Sequence, residues 1–144
     1  MTSYWKPRWP ATVLFGSWRE LRYRIDIGRE KPTFRLRIGQ GPGFTINLTR
    51  AAGDPGFAVL GSVPARARAW LADAECRRAA ATLLVSHFHR LELRPDHIDC
   101  LASVPEDQPP EGAELDWIMS LLYTLWTAAP EAERREMLRS EFIA

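Results

Sequence analysis

The arginine-rich stretch from Arg19 to Gly39, RELRYRIDIGREKPTFRLRIG, contains the residue types with the clearest binding chemistry in this sequence. Arginines alternate with apolar residues on both sides of a turn, and a guanidinium can form paired hydrogen bonds with a carboxylate or a phosphate. The pattern therefore predicts a surface for an anionic partner. The alternative is an ordinary half-buried sheet, whose solvent face is commonly charged.

The alternation predicts how these two strands pair. The register that keeps all their apolar residues on one face sets Asp26 opposite Arg35, a favourable pair. It also sets Arg24 opposite Arg37, a like-charge pair that costs up to about 1 kcal/mol. A slip of one residue would expose the whole apolar set, so the hydrophobic register prevails. The predicted outer face has four arginines, and two acids neutralise part of their charge: Arg22, Arg24, Arg35, Arg37, Asp26 and Glu20.

Three histidines and a cysteine form a second group with chemical potential. The sequence H-F-H places His87 and His89 on one face of an extended strand, as two metal ligands would be, but the hairpin pairing sends His97 to the opposite face. Because a zinc site normally needs three or four protein ligands, we predict neither a metal nor another cofactor. Cys100 lies diagonal to His89, which leaves a small Cys–His enzyme as a further hypothesis without an assigned catalytic residue.

The elements that position these residues fall into groups. Alternating apolar positions predict a meander of four or five antiparallel strands between Thr12 and Leu60, and HRLELRPDHIDCLA predicts a later hairpin. The glycine-rich GQGPG is a turn, since it precedes no helix and lacks the Lys and Ser/Thr of a phosphate loop. Helices are predicted at Val63–Ala72, Ala74–Ser86 and Leu115–Thr127, with a further one opening at Pro130. Grouped strands and helices predict an α+β fold, with helices packed on one face of an antiparallel sheet.

Size and composition predict a single domain over residues 1–144. Residues 1–11 are predicted to form an extended arm at its start. The net charge is only +1, but residues 1–50 carry +7 and residues 51–144 carry −6. Trp5 and Trp9 of the arm either dock on the domain or anchor a partner. The other tryptophans in helical surroundings are expected in the core: Trp70, Trp117 and Trp126.

The cysteines and the apolar segments bear on location. Cys76 and Cys100 match no metal or redox spacing and are expected to be reduced. Residues 1–16 lack the apolar run of a signal peptide, and Leu115–Ala129 is too short for a membrane span. We therefore predict a cytoplasmic protein without membrane insertion.

The stretch GDPGFAVLGSVPARARAWLADAECRRAAATLLVSHFHRLELRPDHIDC resembles a group of uncharacterised bacterial domains. In those domains a turn G-D-x-x-F leads into a short strand, S-x-P opens a helix, and a hairpin and a Leu-rich helix follow. The resemblance covers roughly residues 50–128, and Ala58 stands where some of those domains have an acidic residue. It implies a bacterial α+β domain and carries no activity.

The function predicted from these features is a non-enzymatic protein-interaction module. It binds an acidic protein surface, or a second copy of itself, through Arg22, Arg24, Arg35 and Arg37 with Trp5 and Trp9 beside them. The alternative is an anionic-ligand or nucleic-acid-binding domain. Nucleic acid fits less well, because such binders usually carry net positive charge and aromatics within the basic face, whereas Tyr23 and Phe34 are predicted to point inward.

Overall fold

In the part of the chain that the structure describes, alternating apolar residues build a seven-stranded antiparallel sheet, and three helices lie on one of its faces. The structure, a computed structural model, describes residues 12–28, 33–103 and 112–143, with the backbone alone from residue 129 onward. The strands are β1 (Thr12–Trp18), β2 (Leu21–Ile27), β3 (Thr33–Ile38), β4 (Ile46–Arg50), β5 (Phe57–Leu60), β6 (Arg90–Leu93) and β7 (Ile98–Ser103). The helices are α1 (Ala65–Ala72), α2 (Ala74–Ser86) and α3 (Gly112–Ile143). The predicted α+β class is confirmed.

The order of the strands departs from a simple meander. Across the sheet the order is β1-β2-β3-β7-β6-β4-β5, so the later hairpin is inserted between β3 and β4. β3 pairs with β7, and β4 pairs with β6 and β5. The insertion satisfies backbone groups on both sides of the hairpin, and it brings β7 directly beside the arginines of β3.

The GQGPG segment carries the chain from β3 to β4 across the turn of the inserted hairpin. The Gly43 N–H donates to the carbonyl oxygen of Pro95 at 3.2 Å. A Cβ at position 41 would lie 2.1 Å from the carbonyl oxygen of Arg94 and 2.5 Å from the nitrogen of His97. The glycine at 41 is therefore required by a close approach of two backbones, which no side chain would allow.

The paired strands β2 and β3 have the predicted register. Asp26 lies opposite Arg35, and Arg24 lies opposite Arg37. Tyr23 and Phe34 point toward the helices, as predicted: Phe34 is buried and stacks on Phe88, and Tyr23 packs against the edge of the core. The hydrophobic pattern thus outweighs the like-charge pair, in agreement with the expected cost of a slip.

The helices form the second layer, and two expectations about them are wrong. The Trp70 indole is buried and donates to the carbonyl oxygen of Leu125 at 3.0 Å, and Trp126 is partly buried, but Trp117 is 44% exposed. Trp117 packs edge-on against the ring of His87 at the rim of the core, with centroids 5.2 Å apart. No new helix opens at Pro130, because α3 continues through it.

The β1–β2 hairpin is fastened to α3 by polar contacts. The Trp18 indole N–H donates to Asp116 Oδ1 at 2.6 Å, and the Tyr123 hydroxyl donates to Glu20 at 3.0 Å. Glu20 therefore binds on the helical side and does not neutralise the arginines of the outer face, contrary to the prediction.

Cys76 and Cys100 are buried and form no disulfide. None of the described helices combines the length and apolarity needed to cross a membrane.

Replacing Gly41 by Ala should destabilise the fold, because the added methyl group meets backbone atoms of the β6–β7 turn. We expect the free energy of unfolding to fall by more than about 1 kcal/mol, measured by urea denaturation. Gly39→Ala is the matched control, since its Cβ would come no closer than 3.8 Å to another atom. Equal stability of the two variants would contradict the close crossing.

Candidate interaction surface on the sheet

The face of the sheet turned away from the helices, here called the outer face, collects the charged side chains of the alternating strands. Side chains of successive residues point to opposite faces, and the three helices bury the apolar set. No described helix packs on the outer face. The charged side chains of the outer face are Arg22, Arg24, Asp26, Arg35, Arg37, Arg90, Glu92, Arg94, His97 and Asp99.

Asp26 is the centre of the first ion-pair cluster. Its Oδ1 accepts from Arg24 Nε at 2.7 Å, and its Oδ2 accepts from Arg35 Nε at 3.0 Å and from Arg35 Nη2. Burial leaves Asp26 only 6% exposed and would by itself raise the pKa of its carboxyl group. The hydrogen bonds from Arg24 and Arg35 outweigh burial and lower that pKa below its ordinary value.

Asp99 forms the second cluster, and sequence reasoning did not find it. Arg37 donates to Asp99 through Nε at 2.6 Å and through Nη2 at 2.9 Å, a two-pronged contact between neighbouring strands. These hydrogen bonds raise the pKa of the Arg37 guanidinium. The alternation in HIDCLAS places Asp99 on the opposite face from Ile98 and Cys100, but only the β3–β7 pairing brings it to Arg37.

A third cluster lies farther along the sheet. Glu92 Oε2 is 3.0 Å from Arg90 Nε, and Glu92 Oε1 is 3.8 Å from Arg94 Nη2. Sequence reasoning also missed these two arginines, because it treated the β6–β7 hairpin as a separate element. Through the insertion between β3 and β4, the outer face of the first hairpin becomes continuous with that of the second.

The outer face remains cationic after these contacts. Among the described residues, its six arginines meet the three carboxylates of Asp26, Glu92 and Asp99, and the Asp96 carboxylate at the turn between β6 and β7 lies beside His97 and acts on Arg37. Six arginines against four carboxylates leave a net charge of +2 with His97 neutral. Asp26 and Glu92 are each shared by two arginines, and Arg22 is exposed and makes no ion pair with a described residue. Since a guanidinium has five N–H donors, the paired arginines keep donors for a further anion.

Phe15 adds an exposed aromatic ring to this basic surface. It lies on β1 opposite Arg24, is 74% exposed, and has the Arg24 Cζ 5.6 Å from its ring centroid. A cation over an aromatic face is a favourable arrangement that also fixes the guanidinium plane. The short strand predicted at Thr12–Phe15 has three consecutive apolar residues, which do not show which face Phe15 would occupy.

The structure places Arg22, Arg24, Arg35 and Arg37 together on the outer face. Trp5, Trp9 and the rest of the predicted arm at residues 1–11 lie outside the described residues. The four arginines thus lie together as predicted, while the role of the two tryptophans stays a prediction.

The histidine and cysteine group divides between the two faces. His87 and His89 line a cavity of about 270 Å³ with Arg50 and Ala102, whereas His97 lies on the outer face beside Asp99. Arg50 donates to the carbonyl oxygens of Leu84 and Phe88 and so caps the C-terminal end of α2. Burial lowers the pKa of His87, which favours its neutral form.

Cys100 is poorly suited to nucleophilic chemistry. It is fully buried, and burial raises the pKa of its thiol well above the ordinary value, with the charge of Asp99 adding to the effect. The thiolate, which is the reactive form, is therefore disfavoured at neutral pH. Within the described ranges, no group of three or more His, Cys, Asp or Glu side chains is arranged to hold a metal ion.

Comparison of the chain with protein-family models, curated proteins and solved structures found no match. The resemblance of roughly residues 50–128 to bacterial domains gains no support from these comparisons.

Replacing Asp26 by Asn should destabilise the protein at neutral pH, because Arg24 and Arg35 lose the charged acceptor they share. We expect a loss of about 1–3 kcal/mol in the free energy of unfolding. The folded pKa of Asp26 is lowered, so its contribution is present above the ordinary value of 3.8 and is lost as the pH falls through the folded pKa. The difference between wild type and variant should therefore shrink in acid.

The matched control is Glu75→Gln, which removes the carboxylate of an exposed pair with Arg78 at 2.9 Å. This change should alter stability by less than about 0.5 kcal/mol, since exposed pairs contribute little. A loss for Asp26→Asn that stays constant from pH 7 into acid would show that the ionised carboxylate does not hold the arginines.

Proposed function

We propose that this protein is a non-enzymatic interaction module whose outer face binds an acidic surface of another protein. The observation that carries the proposal is the residual charge of +2 on one face of the sheet, where carboxylates already orient the arginines. Guanidinium groups held in place lose less conformational freedom on binding a carboxylate than free side chains do.

The exposed parts of the arginines support a protein partner. Arg24, Arg35 and Arg37 are 44%, 33% and 39% exposed, so each offers donors to solvent while its other donors hold Asp26 or Asp99. Phe15 supplies apolar contact area beside Arg24, and aromatic and arginine side chains are the ones enriched at protein interfaces. A carboxylate-bearing partner would satisfy the donors and cover the ring together.

A second candidate function is the binding of single-stranded nucleic acid. The observation that favours it is the exposed ring of Phe15 within the basic face, because bases stack on exposed aromatics and phosphates pair with arginine. Only one such ring is present among the described residues of this face, and a charge of +2 is small for a surface that binds a polyanion.

The test uses the full chain, a fluorescent polyglutamate peptide and a random single-stranded oligonucleotide, titrated at low and at physiological salt. We expect Arg22→Gln/Arg24→Gln to weaken binding of polyglutamate roughly 5- to 10-fold. The fold should persist, because Arg35 still pairs with Asp26. The matched control is Arg68→Gln/Arg77→Gln, which removes the same charge from exposed positions on α1 and α2.

Equal loss of affinity in both double variants would mean that total charge, and not the outer face, governs binding. Tighter binding of the oligonucleotide, with an affinity that falls steeply as salt is added, would replace the first proposal by the second. No binding of either probe at low salt would contradict both.

A further inference from the structure

The strand β1 leaves one edge of the sheet open. Among the described strands, β1 pairs only with β2, while its other side faces no strand. Hydrogen-bonded and non-hydrogen-bonded pairs alternate along an antiparallel ladder. Every second residue of β1 therefore directs its N–H and C=O groups to the open side.

This edge lacks the features by which sheet edges are normally protected. The seven residues TVLFGSW contain no proline and no charge, although charges, prolines and short length are the usual protection against unwanted pairing. The opposite edge, β5, has four residues and so offers a shorter ladder. Val13, Leu14 and Phe15 are all substantially exposed on β1.

We propose that β1 accepts an extended acidic peptide segment of the partner as an additional antiparallel strand. This inference rests on the proposed function and names the form that the acidic partner takes at this site. The peptide's backbone pairs with the open groups of β1, which is the recognition mode of strand addition. Its carboxylates, at every second residue, lie on the outer face of the extended sheet.

The side chains of β1 and β2 favour a partner strand that carries carboxylates. Ser17 lies opposite Arg22, and Phe15 lies opposite Arg24. Arg24 Cζ lies over the ring of Phe15, and the residue opposite Arg22 is the small Ser17. A strand added beyond β1 would lie two strand spacings, about 9.6 Å, from β2. An arginine and a glutamate side chain that extend toward each other would span this separation.

Charge favours an acidic peptide over a second copy of the chain. An antiparallel pairing of β1 with β1 of another copy on a shared face would join two outer faces that each carry +2. An acidic strand instead offsets this charge. Two other occupants of the edge would compete with an acidic peptide. They are residues of this same chain outside the described ranges and a second copy of the chain. Amide exchange and light scattering distinguish them.

The experiment compares three synthetic peptides on the full chain. The first alternates Glu and Val, the second is the same peptide with N-methyl groups on the alternate amides that would pair with β1, and the third alternates Lys and Val. Removing the backbone donors leaves charge and side chains unchanged, so strand addition predicts that N-methylation weakens binding by about tenfold or more. The Lys–Val peptide should not bind.

Amide hydrogen exchange read by NMR locates the peptide. The Glu–Val peptide should slow the exchange of alternate amides of β1 and leave the amides of β5 unchanged. Equal affinity of the methylated peptide would overturn strand addition while leaving the proposed function in place, provided that polyglutamate still binds. If neither polyglutamate nor the Glu–Val peptide binds, both proposals fail.

Two results without peptide would also overturn the inference. Slow exchange of the alternate β1 amides in a monomer would mean that the chain covers its own edge. Protection that grows with protein concentration, together with a doubled mass by light scattering, would assign the edge to a second copy.

Discussion

The like-charge pair Arg24–Arg37 is the constraint around which the sheet is organised. The hydrophobic register of β2 and β3 forces these two arginines opposite each other, and a one-residue slip would expose an entire apolar set. Asp26 lies between Arg24 and Arg35 on one side, and Asp99 binds Arg37 from the next strand on the other. The repulsion is therefore tolerated because Arg24 binds Asp26, which it shares with Arg35, and Arg37 binds Asp99.

The strand order supplies the carboxylate that binds Arg37. If β4 lay beside β3, Arg37 would face the neutral side chains of Asn47 and Thr49; the inserted β7 instead supplies Asp99. The insertion in turn requires the chain to pass over the hairpin turn, and Gly41 allows that close crossing. Core packing, ion pairing and the glycine-rich connection are thus three consequences of one topology. The same topology joins the arginines of both hairpins into one outer face.

Sequence reasoning succeeded where the deciding interactions are local. Period-two alternation gave the register of β2 and β3, and the helical pattern gave α2 as Ala74–Ser86. It failed where neighbours are distant along the chain: Asp99 lies next to Arg37 only through the β3–β7 pairing. It also failed for Glu20, which contacts Tyr123 of a helix packed on the other face, and for Trp117, which lies at the rim of the core. Apolar character alone did not reveal that Phe15 is exposed at an edge.

The central claim is that the arginines of the outer face bind carboxylates of a partner. The most direct measurement follows the arginine Nε–Hε resonances of the full chain by NMR while polyglutamate is added. The account predicts shifts for Arg22 and Arg24 of β2 and for Arg37 of β3, with the resonances of Arg68 and Arg77 on the helices unchanged. Shifts confined to the helical arginines, or no shifts at all, would contradict it.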